Sequence, residues 1–307
     1  MRRQTRPQGE AMRGRVAVMA LVLGTVLGAG PALAQDSCPE FGAEDQLPVL
    51  LNPKLAPRTV LLCNRGYAVL HSGLAHEPLW AAEYLTRQDV EAAKRIGRST
   101  TNFHEETRLP AGDGARLADY RGSGYDRGHQ VPSGDASSLE AQEETFSLSN
   151  IVPQTPRLNQ GIWAGVEMGV RALARRDGAL YVVTGPLFEG QIQAIGQEVL
   201  VPSASWKAVY DPERNGAGAY VCTNTQAPSC TQMSVAALEA RIGIDPFPGI
   251  AQSVKDRAMP LPEAMASPYG GRGRSEDQME ARLFRQLQKT LIREGWRVLR
   301  HVMENAQ

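Results

Sequence analysis

The sequence predicts an α+β fold built around antiparallel strands. Two kinds of segment point to it: short stretches that alternate apolar with small or polar residues, and longer stretches with apolar residues at helical spacing. A third observation selects the class. The two kinds do not alternate regularly along the chain, as they would around a parallel sheet.

The first element is one that the mature protein is expected to lose. Met1 to Arg15 is basic, Val16 to Gly30 is a short apolar run, and Pro31-Ala32-Leu33-Ala34 ends in an Ala-x-Ala pattern, which together read as a secretory signal peptide. The run is too short and too poorly flanked for a spanning helix, although an N-terminal membrane anchor is the rival reading and Met12 an alternative start. Arg2-Arg3 lies too far from the apolar run to argue for twin-arginine export. The expected layout is a signal peptide over 1–34, one domain over 35–250 and a C-terminal extension over 251–307.

Arg65 to His71 and Leu79 to Leu85 read as antiparallel strands with Ser72-Gly73 in the turn between them. Thr86 caps a short helix reaching Arg95. Residues 100–125, rich in Pro, Gly, Asp and Arg, read mostly as loop. From Gly161 the positions Trp163, Val166, Val170 and Leu173 have helical spacing, and Asp177-Gly178 stops the helix. Ala179 to Thr184 is a buried strand ended by Gly185-Pro186, and Trp206 to Tyr210 is another, ended by Asp211-Pro212. Ser234 to Ile242 is a short capped helix. Beyond Ala251 the chain loosens before a basic helix from Glu276 to about His301. Its Leu283, Leu287, Leu291 and Val298 form an inward stripe, so a solvated amphipathic face is the favoured reading over contact with nucleic acid.

The 307 residues carry 33 basic and 33 acidic side chains. Five of the bases (Arg2, Arg3, Arg6, Arg13, Arg15) and one acid (Glu10) lie within 1–34, so 28 bases face 32 acids in the remainder. A mildly acidic chain of this kind has no broad electrostatic grip on nucleic acid and must gather positive charge locally. Four cysteines, Cys38, Cys63, Cys222 and Cys230, follow the leader, and an even number in an exported chain points to disulfides. Of three connectivities, Cys38 to Cys63 with Cys222 to Cys230 closes the short loops. A zinc site is the rival, without a Cys-x-x-Cys or paired histidine to support it.

Asp126-Arg127-Gly128-His129, behind the flexible Gly122-Ser123-Gly124-Tyr125, places a carboxylate, a guanidinium and an imidazole side by side. Imidazole can take a proton from water near neutral pH, and a guanidinium clamps phosphate oxygens, so the group suits phosphodiester cleavage. Downstream lies a second polar block, Phe146-Ser-Leu-Ser-Asn150-Ile-Val-Pro153-Gln154-Thr-Pro156, running into Leu158-Asn159-Gln160-Gly161 and then Glu167. Ser133 and Asp135 form no triad with His129, and no Gly-x-Ser-x-Gly elbow is present.

This pair of blocks resembles the DNA/RNA non-specific endonucleases, the sugar-non-specific nucleases. His129 and Asn159 are 30 positions apart and Asn159 and Glu167 eight, both close to the family's spacings, and the resemblance spans roughly Ala68 to Asp211. It implies a central antiparallel sheet flanked by helices, with a ββα-metal active-site motif. It also implies an Mg²⁺-dependent endonuclease, Mn²⁺ substituting, with DNA and RNA as substrates and 5′-phosphate and 3′-hydroxyl products. Because water attacks and not the ribose 2′-hydroxyl, both sugars should serve.

The implied roles are residue by residue. His129 is the general base, and Asn159 binds the metal through its side-chain oxygen, with waters completing the shell. A helix N-cap is the competing reading of Asn159, since it immediately precedes the helix. In a continuous helix Glu167 would stand about 12 Å farther along, too far to share the metal directly, so it reads as an outer-shell group orienting a water. A solvated helix residue is its alternative. Arg127 contacts phosphate or braces the site, and Asp126 orients Arg127 and the local backbone. The family also carries an arginine about thirty residues before the histidine; strict alignment on Asn102-Phe103 leaves a serine there, and Arg98, one residue off, is nominated. Asn150 and Gln154 match family positions as structural support, and Trp163 reads as core. The rivals to the enzyme are a catalytically silent nucleic-acid-binding or envelope protein and a phosphodiesterase on smaller substrates. The leader makes the expected location periplasmic or secreted.

Overall fold

The computed structural model describes residues 37–97 and 102–265. The expected signal peptide, Arg98 and the expected basic helix lie outside the described residues.

Strands are β1 (Val49–Leu50), β2 (Thr59–Cys63), β3 (Ala68–Ser72), β4 (Glu77–Thr86), β5 (Asp126–His129), β6 (Ile151–Gln154), β7 (Ala179–Leu187), β8 (Gln193–Ile195), β9 (Val199–Val201), β10 (Ala204–Asp211), β11 (Gly216–Thr223), β12 (Cys230–Met233) and β13 (Ile244–Asp245). Helices are α1 (Arg87–Ile96), α2 (Leu117–Tyr120), α3 (Leu139–Thr145), α4 (Ala164–Asp177), α5 (Val235–Ile242) and α6 (Gln252–Lys255). Seven strands form one antiparallel sheet in the order β12-β11-β10-β7-β4-β3-β2. Mixed helix and antiparallel sheet is the class expected from the sequence.

Period-two alternation divides the central strands between two cores. Trp80 and Ala82 of β4, Trp206, Ala208 and Tyr210 of β10, and Ala217, Ala219 and Val221 of β11 pack on one face with Val235 and Leu238 of α5 and Phe247. Leu85, Val182, Val209 and Tyr220 face the other way, against Trp163, Val166, Val170 and Leu173 from the α4 segment. That second face carries the functional side of the molecule. Trp163 is fully buried, as its core reading requires.

α1 begins where expected. The Thr86 hydroxyl accepts from the Asp89 N–H at 3.1 Å and the Asp89 carboxylate accepts from the Thr86 N–H at 3.2 Å, a reciprocal cap that contributes about 1 kcal/mol. α4 ends on Gly178, whose φ of 105° suits glycine. The disulfides are Cys38–Cys63 and Cys222–Cys230, the second joining paired positions of β11 and β12.

The structure differs from several local expectations. β3 covers Ala68–Ser72, so residues 65–67 precede the strand and Ser72, expected in the turn, belongs to it. β7 does not stop at Gly185-Pro186 but pairs through both to Leu187. Gly185 admits the Trp206 ring, which a Cβ would meet at 2.5 Å, and the Trp206 indole donates to the Pro186 carbonyl at 2.9 Å, so the pair is built into the sheet. Asn159 is not a helix N-cap. Its N–H donates to the Thr155 carbonyl at 2.9 Å, inside a wide helical turn over Leu158–Trp163 whose path breaks at Gly161 (φ −103°, ψ −111°). The continuous-helix spacing from Asn159 to Glu167 therefore does not apply.

Between Ala251 and Met265 the chain stays on the domain. The Met259 N–H donates to the Ala217 carbonyl (2.7 Å), Leu261 pairs with the Gln232 side chain, and the Tyr220 hydroxyl donates to the Pro262 carbonyl (2.5 Å). Glycines at 165, 169, 216 and 218 lie against the 259–265 segment; a Cβ would overlap its backbone at 165 and 218 and crowd its side chains at 169 and 216. No helix of the described residues is long and apolar enough to cross a membrane.

Candidate active site

β5 and β6 form a two-stranded ribbon, with Asp126 opposite Gln154 and His129 opposite Ile151, and the chain leaves β6 through the Leu158–Trp163 turn into α4. This strand-strand-helix unit sits over the second face of the sheet. It is locked from below. The Asn150 side chain accepts from the Val131 N–H (3.0 Å) and donates to the carbonyls of Val131 and Thr145 (2.9 Å each), clamping the chain just after His129. The Gln154 amide donates to the Ser205 hydroxyl at 2.8 Å and packs beneath Gly128, where any Cβ would overlap it.

Five residues separated by up to 41 positions, Asp126, Arg127, His129, Asn159 and Glu167, line one cleft of about 1030 Å³. Arg98 lies outside the described residues. The half-buried His129 imidazole packs against two phenyl rings that touch each other at 5.1 Å; it lies 5.3 Å from Phe103 and 5.1 Å from Phe146, edge-on to the latter. On Phe103 rests the exposed Arg127 guanidinium, 4.4 Å from the ring centroid. Stacking of this kind fixes the arginine's plane without using up its hydrogen-bond donors.

Phe103 reaches the site through tertiary pairing. His104 bridges Ser147: the His104 N–H donates to the Phe146 carbonyl (3.1 Å) and the Leu148 N–H to the His104 carbonyl (2.8 Å). A half-buried clasp holds this segment down. Glu106 accepts from the Arg108 guanidinium (2.7 and 2.8 Å) and from the hydroxyls of Ser147 (3.0 Å) and Ser149 (3.2 Å), while Arg108 also reaches Asn64 (2.8 Å). Burial alone would push the Glu106 carboxyl up, but the Arg108 side chain and N–H, with Ser147, hold it at about 2.

The Asp126 carboxylate has a geometry that its sequence neighbours did not announce. One oxygen accepts from the Asn159 amide at 3.0 Å and from the Gln160 amide at 2.8 Å, so Asp126 orients these two side chains across the cleft. With the Asn159 NH₂ spent on Asp126, its oxygen is directed elsewhere, an assignment that follows from the hydrogen-bond network. Among the described residues no group of three or more His, Cys, Asp or Glu is placed to hold a metal. An amide oxygen in an open polar cleft shared with the Glu167 carboxylate instead fits a hard cation that keeps most of its water, as Mg²⁺ does.

Gln160, Phe103, Arg121 and Arg171 also line the cleft and were not singled out from the sequence. Arg171 stands one turn after Glu167 on α4 and forms a buried ion pair with Asp135 at 2.8 Å, tying the helix to the chain that follows His129. Helical i,i+4 spacing was the available signal for it. The cleft can thus bring a base, a hard-cation site and guanidinium groups to one phosphodiester.

The geometry has counterparts. The family profile of the DNA/RNA non-specific endonucleases matches residues 52–253. The chain is 39% identical over 144 residues to a nuclease of Syncephalastrum racemosum, covering 46% of this chain and 45% of that one. It is 38% identical over 133 residues to the mitochondrial Endonuclease G of Bos taurus, covering 43% and 44%. A nuclease of Nostoc sp. is 32% identical over 217 residues, 67% of this chain and 76% of its own. The chain spans about half the length of the first two. Among solved structures, that of an EndoG/EndoGI complex superposes with a TM-score of 0.60 at 26% identity, covering 63% of this chain and 88% of the other. With a profile match over most of its length and the strand-strand-helix unit in place, this chain belongs to the DNA/RNA non-specific endonuclease family.

Proposed function

We propose that the protein is an exported, Mg²⁺-dependent endonuclease that hydrolyses DNA and RNA to 5′-phosphate and 3′-hydroxyl ends. The observation that carries this reading is the convergence of Asp126, Arg127, His129, Asn159 and Glu167 on one cleft. The relatives named as nucleases support the same chemistry.

His129, packed against Phe103 and Phe146, takes the proton from the attacking water; it acts in its neutral form, so activity falls as pH drops through its pKa. Asn159, its NH₂ turned to Asp126, holds the cation through oxygen, and Glu167 accepts from water in the same cleft. When bound, Mg²⁺ stabilises charge on the phosphate and the leaving oxygen. Arg127, stacked on Phe103, presents its N–H groups to a phosphate oxygen. Arg98 is retained as a further phosphate contact on the resemblance alone.

Supercoiled plasmid and structured RNA incubated with the full chain and Mg²⁺ should both be cut internally, EDTA should stop the reaction, and His129→Ala should slow it by about 10²–10⁴-fold. Intact plasmid with the unsubstituted protein would sink the endonuclease reading. Cleavage surviving the substitution would sink the base, and release of nucleotides from chain ends alone would favour a phosphodiesterase. Export is supported by the two disulfides and the leader pattern. A mature N-terminus at Gln35 in the periplasm or medium is expected; an uncleaved chain kept inside the cell would overturn it.

A further inference from the structure

Below the cleft the sheet holds charges that an apolar core would do without. Lys207 of β10 is 1% exposed and Glu83 of β4 3%. Both belong to the face covered by α4, because Val209 and Leu85, two positions along the same strands, pack with Trp163 and Val166. The Lys207 ammonium donates to the Thr184 hydroxyl at 2.5 Å and to the Gln130 carbonyl at 3.3 Å, and lies 5.6 Å from the centre of the Trp163 ring. Gln130 directly follows His129, so this lysine holds the carbonyl of the first residue after β5.

A buried carboxyl lies within electrostatic reach of it. Burial, and then the Asp135 carboxylate, push the Glu83 carboxyl well up, against the pull of Lys207 and Arg171; Glu167 adds to the upward push. Taking such groups out of water costs several kcal/mol for each ion, and apolar side chains of the same volume are often at least as stable. Stability alone therefore gives no reason for a lysine here. Position gives one. A methionine, one heavy atom shorter, fills most of the space and leaves the Gln130 carbonyl without this donor, and Lys207, buried and not lining the cleft, does not touch the substrate.

Resting on the reading of His129 as the base, we infer that Lys207 is a positioning residue for it. Fixed by Thr184 and covered by Trp163, the ammonium anchors the Gln130 carbonyl to the sheet and so keeps the imidazole seated against Phe103 and Phe146. A displacement of about 1 Å at a reacting group costs on the order of 10²-fold in rate. Losing the anchor should lower turnover and leave nucleic-acid affinity alone.

The test uses the full chain with saturating Mg²⁺, a defined duplex and three variants, Lys207→Met, Lys207→Arg and Thr184→Val, with His129→Ala as reference. Steady-state kinetics are combined with NMR of ring-labelled histidine, the His129 resonance being identified by its absence in His129→Ala. Lys207→Met should lower kcat about ten- to hundredfold, keep KM within about twofold and move the His129 resonance; Lys207→Arg, which keeps donors and charge, should recover part of the loss. Wild-type kcat in Lys207→Met, a rise in KM with kcat intact, or a loss of kcat with the His129 resonance unmoved would each overturn the inference. If Lys207→Met does not fold, Thr184→Val decides: a smaller fall in kcat with a moved resonance supports the anchor, and unchanged values refute it. An active His129→Ala would remove the base itself; an inactive one beside a normal Lys207→Met would remove only the positioning role.

Discussion

Asp126 is the residue on which the geometry of the cleft turns, since one of its oxygens receives both the Asn159 and the Gln160 amide. Asp126→Ala should free the Asn159 amide to rotate, raising the Mg²⁺ concentration for half-maximal activity about 10–100-fold, with activity recovering at high Mg²⁺. A Mg²⁺ titration of cleavage rate checks this, and an unchanged half-saturation would place Asp126 outside the cation site. Much at this scale was legible in the sequence because Asp126, Arg127 and His129 are contiguous and share a strand. Asp126 itself was expected to orient Arg127; it reaches instead across 33 positions to Asn159, a contact made by the fold and by no local pattern. Phe103 was equally hidden, because its place beside His129 depends on the pairing of residues 104 and 147.

Among the elements, the β5–β6 ribbon is the least tolerant of change. Gly128 stands over the fully buried Gln154 side chain, so Gly128→Ala must displace Gln154 from Ser205, at a cost of about 1–3 kcal/mol that chemical denaturation would register as a lower midpoint with an unchanged slope. The Glu106–Arg108 clasp makes a second prediction. Glu106 titrates near 2 when folded and near the ordinary glutamate value when unfolded, so below that ordinary value the unfolded chain binds the extra proton. The clasp's contribution is complete above about pH 4.5 and is lost as pH falls toward 2. Melting temperatures across that window should fall more steeply for the unsubstituted chain than for Glu106→Gln, and parallel curves would show that the clasp carries no stability. The buried His71, held down to about 4 by loss of hydration, acts earlier, removing stability between about pH 6.5 and 4 in both proteins. Element boundaries set by side-chain chemistry, such as the Thr86 cap and Gly178, were readable from local sequence. The Gly161 break and the passage of β7 through Gly185-Pro186 were not, because turn-forming residues are read as stops unless the partner strand is known.

At the scale of the whole molecule, a chain of zero net charge gathers basic side chains in one cleft. Lys94, Arg121 and Arg127 line it against Asp126 and Glu167, while Arg171 is already paired with Asp135. With so few cations, the logarithm of kcat/KM on duplex DNA should fall with the logarithm of salt concentration at a slope no steeper than about −4. A much steeper slope would place a large part of the binding surface outside the cleft. The disulfides close loops of 25 and 8 residues, contributions of about 3.5 and about 2.5 kcal/mol on the chain-entropy account, so reductant should lower the melting temperature of the folded protein markedly. Their pairing was readable because each joins cysteines near in sequence; which faces of the sheet would be covered, and by what, required the long-range register.

In the segment 259–265 the Met265 carbonyl presses against Gly165, in the first turn of α4, and the neighbouring Ala164 lines the cleft. The Met265 side chain is itself exposed, so a fluorophore carried at position 265 would stand beside that wall of the cleft and should change its emission when nucleic acid arrives.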